Sequence, residues 1–181
     1  MRASASRFRL ASRSARSLLR GAAAAALLAA SSGCRGVVVT PPRRTAAEIA
    51  AREAERLLDI HRRTGAYPYV FGGNPRYDAQ GRIVGGTFDC SALVQHCYRQ
   101  AGVSLPRVSR RQARAGRRVS RRRLRRGDVL AFDTDADGVV NHVGLYIGGG
   151  RMIHASGSEK GIGEARLAGH WAKTLVAARR P

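Results

Sequence analysis

The chain has 181 residues, a length that suits one domain preceded by a leader. Its 44% apolar content is ordinary for a globular protein and excludes a chain too polar to bury a core. Its charge is not ordinary: 33 Lys and Arg face 12 Asp and Glu, a formal net of +21, and Lys160 and Lys173 are the only lysines. Such a surface attracts phosphates, anionic lipids or nucleic acid without sequence selectivity, and a coding bias toward arginine gives the same count. Composition therefore names no partner.

Residues 1–33 read as a secretory signal peptide. Arg2, Arg7, Arg9, Arg13, Arg16 and Arg20 form a basic front, and Gly21 to Ala30 is an apolar run. That run is too short to span a bilayer, which needs roughly 20 apolar residues. Ser31-Ser32-Gly33-Cys34 adds small residues and a cysteine. This end resembles a bacterial lipoprotein lipobox, with Ser31 where a Leu is usual. The resemblance implies cleavage before Cys34 and lipidation of that cysteine. Cleavage removes six arginines and no acid, so the charge falls from +21 to +15. The protein is thus expected to be exported and held to a membrane by lipidated Cys34, facing the periplasm or cell wall. Residues 34–44, with Pro41-Pro42, read as a tether; ten extended residues reach about 35 Å.

Residues 45–181 read as one domain. Thr45-Ala46-Ala47-Glu48 is a capping box, and Ile49, Ala50, Ala54, Leu57 and Leu58 recur at helical spacing. This predicts a helix to about Thr64, stopped by Gly65. The stretch from Tyr67 to Thr87 is too rich in glycine and proline for a long element. Asp89 then suits an N-cap, with Leu93, Val94, Cys97 and Ala101 as the apolar face of a second helix and Gly102 as its stop. A short helix is expected over Ser109 to Ala115. After Gly127-Asp128 the period changes. Val129 to Phe132, Val139 to Ile147, Met152 to His154 and Trp171 to Ala178 read as strands between turns. Helices followed by antiparallel strands predict an α+β domain, its N-terminal helices packed on an antiparallel β-sheet.

Cys90 and Cys97 lie seven residues apart on one predicted helix. That is about 10 Å along its axis, too far for a disulfide. Cys97 reads as core and Cys90 as a free thiol. A thiol at a helix start is a candidate nucleophile, because the helix dipole favours thiolate and a nearby histidine can take its proton. Taken alone, such a cysteine is more often a small buried hydrophobe.

Three pieces occur in order: Tyr69-Val70-Phe71-Gly72-Gly73, then Phe88-Asp89-Cys90-Ser91-Ala92-Leu93-Val94-Gln95, then Asn141-His142-Val143-Gly144-Leu145-Tyr146-Ile147-Gly148 with Met152-Ile153-His154-Ala155. Together they resemble the NlpC/P60 family of cysteine peptidases, which cut the peptide stems of bacterial cell walls. The resemblance also covers Leu105-Pro106-Arg107, Ser109, Gln112, Gly116 and Gly127-Asp128-Val129, from about Thr45 to Val176. Ala92 stands where the family usually has Gly, and the gap from Gly73 to Asp89 is longer than in compact members.

The resemblance implies a papain-like fold and a catalytic set of Cys90, His142 and His154. Cys90 would attack, His142 would take the thiol proton and return it to the leaving amine, and His154 would fix the His142 tautomer. Tyr69 and the Cys90 N–H would serve the oxyanion, and Asp89 and Ser91 are expected to help bind substrate. The expected reaction is hydrolysis of amide bonds in peptidoglycan stems, near D-glutamate or diaminopimelate. The alternatives are an amidase or acyltransferase on the same scaffold, or an inactive wall-binding lipoprotein.

No cofactor is expected. Asp133 to Gly138 begins like a calcium loop, but its twelfth position is Gly144, where a bidentate Glu is needed, so it reads as an acidic hairpin turn. A zinc site from Cys90, His142 and His154 lacks the usual ligand spacings, and no metal is expected. His61, His96 and His170 match no motif and read as surface or structural. Between Arg107 and Arg126 there are 11 arginines and no acid. Most fall between the family's recurring letters, which predicts a folded, solvated basic face. It has no aromatic residue for base stacking, so nucleic acid is not expected. An anionic wall polymer or membrane surface fits better. Peptidoglycan is the expected partner and a monomer the expected state.

Overall fold

The computed structural model describes residues 43–181. The expected signal peptide 1–33, Cys34 and nearly all of the tether lie outside the described residues.

Helix α1 spans Ala46–Thr64. Thr45 and Glu48 form both halves of the capping box, and Gly65 ends the helix in the left-handed conformation at φ 68°. Helix α2 spans Cys90–Gln100, and the Asp89 carboxylate caps it by accepting the Ala92 N–H at 2.7 Å. Between them, strands β1 (Pro75–Tyr77) and β2 (Ile83–Gly86) form a small antiparallel hairpin inside the segment expected to be irregular.

The short helix α3 is Ser109–Gln112, not Ser109 to Ala115. It stops early because Gln112 turns inward, donating to Ser91 O at 2.9 Å and Pro106 O at 2.8 Å. Strand β3 (Arg117–Arg118) and a 3-10 turn (Arg121–Arg123) follow. Then come β4 (Val129–Phe132), β5 (His142–Gly148), β6 (Arg151–Ser156) and β7 (Gly161–Arg166). Helix α4 (Gly169–Thr174) and β8 (Leu175–Arg180) close the chain.

The six-stranded sheet has the order β3-β8-β4-β5-β6-β7, with every pairing antiparallel. The expected α+β architecture is thus present, with three further local differences. β5 begins at His142 rather than Val139, because the Asp133 and Asp137 carboxylates take the N–H groups of Asp137, Gly138 and Val139 into a turn. The expected last strand, Trp171 to Ala178, is helical through Thr174. There Trp171 packs on aromatic neighbours instead of joining a ladder. Strand β7, Gly-Ile-Gly-Glu-Ala-Arg, carries no apolar run and was not foreseen.

Helices α1 and α2 cover one sheet face. Leu57, Leu93, Val143, Leu145 and Ile153 meet there with no exposed surface. Each such side chain contributes about 2 kcal/mol of burial. A second cluster on the other face gathers Leu130, Phe132, Met152 and Ala178, with Trp171 and Leu175 against it. At the end of the sheet away from His142, Gly127 joins three elements. Its N–H donates to Tyr146 O, its carbonyl accepts the Tyr98 hydroxyl, and a Cβ on it would collide with the Ala47 carbonyl. Its φ of 87° also needs glycine. Beside it the buried Asp128 carboxylate takes two bonds from Arg180, at 2.6 and 2.7 Å.

Candidate active site

The site forms where the first turn of α2 meets the start of β5. Cys90 is the first residue of α2 and is buried. Its thiol lies against the backbone N–H of Val143, the residue after His142. His142 opens β5, and its Nε2 lies 2.9 Å from Nδ1 of His154 on β6. The antiparallel β5–β6 pairing brings the two rings together, with centroids 5.1 Å apart and an interplanar angle of 85°. Since Nε2 of His142 is engaged with His154, Nδ1 is the ring nitrogen left for a thiol proton. When the Nε2–H of His142 donates, His154 must carry its own proton on Nε2. That atom is buried and has no partner among the described residues.

Aromatic side chains pack on both rings, with His154 buried and His142 half-buried. Trp171 stands 5.2 Å from His142 and 4.9 Å from His154, and Phe132 closes a further side of His142. Burial, then the neighbouring His154, holds His142 down at about 3; burial alone holds His154 at about 4. Burial also pushes the Cys90 thiol up, against the expectation that its helix start favours thiolate. Desolvation outweighs the dipole here. Burial thus disfavours the charged form of both the thiol and the imidazole.

Tyr69 runs beside the residue two before Cys90. Val70 N–H donates to Phe88 O and Phe88 N–H to Pro68 O, both at 3.0 Å. Burial raises the Tyr69 hydroxyl pKa, with Cys90 and Asp89 as the charges nearby. Burial therefore favours the protonated hydroxyl.

Asp89 and Ser91 are buried and hydrogen-bonded to each other at 3.0 Å. Both are held by Arg107. Its guanidinium reaches Asp89 at 2.8 and 3.0 Å and Ser91 Oγ at 2.8 Å, and it donates to Gly73 O and Asn74 Oδ1 at 2.7 Å each. One arginine thus ties the Gly73-Asn74 loop to the start of α2. Asp89 and Ser91 are thus fixed on either side of Cys90.

The NlpC/P60 family description matches residues 65–180. The chain belongs to the NlpC/P60 family. It is 34% identical over 139 residues to a Bacillus subtilis (strain 168) protein named gamma-DL-glutamyl hydrolase, covering 76% of this chain and 32% of that one. It is 40% identical over 103 residues to the Escherichia coli (strain K12) protein named murein DD-endopeptidase MepS/murein LD-carboxypeptidase, covering 55% of this chain and 54% of that one. A crystal structure of an NlpC/P60 family protein from Bacillus cereus superposes with a TM-score of 0.59 at 29% identity, over 74% of this chain and 39% of that one. The chain thus spans about a third to a half of these relatives.

Within this NlpC/P60 domain, sequence reasoning missed Trp171 and undervalued Arg107. Arg107 was visible only as a letter in Leu105-Pro106-Arg107, and nothing local announces its five bonds. Trp171 is the chain's single tryptophan, a signal in itself, but its place over the histidines depends on the α4 turn. His96 is structural, as expected: it is buried between Glu53 and the Tyr77 hydroxyl, 2.9 Å from each.

Proposed function

We propose that this domain is a cysteine endopeptidase that hydrolyses amide bonds in peptidoglycan stem peptides, near D-glutamate or diaminopimelate. The observation that carries the reading is the 2.9 Å bond between His142 Nε2 and His154 Nδ1, which leaves His142 Nδ1 for the Cys90 thiol. The names of the relatives, a glutamyl hydrolase and a murein endopeptidase, support the substrate class.

In this reading His142 Nδ1 removes the Cys90 proton as the thiol attacks the carbonyl carbon. The imidazolium forms with its Nε2–H still held by His154, so no ring has to turn. The Cys90 N–H, free in the first helical turn, and the Tyr69 hydroxyl donate to the developing oxyanion. Collapse of the tetrahedral intermediate expels the amine, which takes the proton from His142 Nδ1. Water, deprotonated by the same atom, then releases the acid and the free thiol. Export and anchoring through Cys34 belong to the same reading and rest on residues 1–34.

The test is digestion of purified peptidoglycan with mass spectrometry of the released fragments. The wild type should release stem peptides cut at one amide. Cys90→Ala should release none, a loss of more than about 1,000-fold. Full release by Cys90→Ala would sink the proposal.

A further inference from the structure

The arginines expected to form one basic face do not act as a block. Arg107 is spent on the site, and Arg126 pairs with Glu55 at 2.7 Å. Of the other nine, Arg121 donates to Ala172 O and Arg110, Arg111 and Arg114 lie outside the groove, which leaves Arg117, Arg118, Arg122, Arg123 and Arg125 together. All five are exposed, and none forms an ion pair among the described residues. They line a groove of about 940 Å³ whose far wall is β8, Leu175 to Ala178 with Arg180. No acidic residue lines it.

Two bland accounts are available for this charge. The arginines could merely be solvated, or they could protect a sheet edge, since β3 is the outermost strand. Edge protection accounts for Arg117 and Arg118, which pair with Arg180 and Arg179. It does not account for Arg122, Arg123 and Arg125, which lie off the ladder in a turn folded back over it. The paired Arg180 and Arg179 have partners of their own, Asp128 and the Ala113 carbonyl, and add no free charge to the account. Packing like charges together costs energy unless counter-ions or a polyanion neutralise them.

We infer that this groove binds a linear phosphodiester polymer of the kind that decorates a cell wall, separately from the peptide site. The groove is concave, so it suits a chain rather than a flat bilayer. Val176 is the only exposed large apolar side chain in its lining, which leaves little to insert into lipid. Its lining has no aromatic ring on which a base could stack. It follows β8 over six residues, about 20 Å, enough for several successive phosphates. Guanidinium groups suit phosphate oxygens because they offer paired, planar donors. The inference does not depend on the catalytic reading, and its test measures no activity.

The test is calorimetric titration of the full chain with poly(glycerol phosphate) at several salt concentrations. Five neutralised phosphates predict a slope of log K on log salt of about −3 to −4. Arg117→Gln/Arg118→Gln and Arg122→Gln/Arg125→Gln should each weaken binding at least about tenfold and flatten the slope by about 1.4. The second pair lies off the ladder, so it reads the groove even if the first disturbs β3. Arg52→Gln/Arg166→Gln, an equal charge change elsewhere, should bind as wild type. Absence of polymer binding, or an equal loss in this control, overturns the inference. So does tighter binding of oligothymidylate with the same number of phosphates. Phosphatidylglycerol vesicles that outcompete the polymer and are released by the groove substitutions would identify a membrane surface instead, and would also overturn it.

Discussion

Arg107 and Arg118 are the same residue type with opposite fates. Arg107 has bonds to Asp89, Ser91, Gly73 and Asn74, and it organises the loop under the thiol. Arg118 stands exposed on a two-residue edge strand with no acid beside it. The contrast teaches that a charge count says little until each charge has a partner. At the site end a single guanidinium neutralises a buried carboxylate, and aromatic rings pack on the histidines. Along β3 and the 3-10 turn, charge is left uncompensated and open.

The largest way to break this comparison is Arg107→Met. It strands the Asp89 carboxylate in a buried position and should cost about 2–3 kcal/mol in denaturant unfolding. Arg107→Lys should recover only part of this, because an ammonium cannot span both carboxylate oxygens and Ser91. A loss below about 0.5 kcal/mol for Arg107→Met would show that the carboxylate tolerates solitude.

Next in size is the histidine pair. His154→Ala should lower kcat roughly 10- to 100-fold with KM little changed, because it frees the His142 ring without touching substrate. His154→Asn, which can still accept the Nε2–H, should retain more activity. Equal losses in the two variants would argue that His154 does more than orient its neighbour.

Acid stability sharpens the contrast further. His142 and His154 are held at about 3 and about 4 in the fold, below the ordinary histidine value near 6.5. Below pH 6.5 the unfolded chain takes up protons that the folded chain refuses. The associated stability is therefore fully present above pH 6.5 and is lost as pH falls. Well below 6.5 each histidine costs about 1.4 kcal/mol per pH unit. Unfolding measured between pH 6.5 and 4.5 should show this slope, and His154→Asn should remove about half of it. The acid limb of kcat/KM should likewise lie well below 6.5.

The smallest effect is expected in the groove. Arg118→Gln or Arg122→Gln should change stability by less than about 0.5 kcal/mol in the same unfolding assay. A larger loss would mean that these side chains hold structure rather than await a ligand.

Much of this was legible in the sequence because it is local. The capping box at Thr45, the Asp89 cap and the stop at Gly65 each follow from residues a few positions apart. The Tyr69, Cys90, His142 and His154 segments are far apart in the chain, and only their resemblance to the family's ordered motifs pointed to one site. What was not legible depends on distant contacts. Strand β7 has no apolar pattern and owes its place to pairing with β6. Trp171 read as a strand residue because its β-propensity is high, yet it folds onto His142 and His154 from a helical turn. The raised thiol pKa was hidden because burial is a property of the packed site and the helix dipole is a property of the chain.

Gly127 carries a consequence for inherited change. Three elements meet at this one residue, and a side chain there would collide with the Ala47 carbonyl of α1. Helix α1 contributes nothing to the reacting groups, so damage at this junction would leave the chemistry intact and loosen the scaffold that presents it. Alleles altered at Gly127 should therefore be temperature-sensitive, working when cool and failing when warm, and a screen for such alleles would find the fulcrum of this domain far from its thiol.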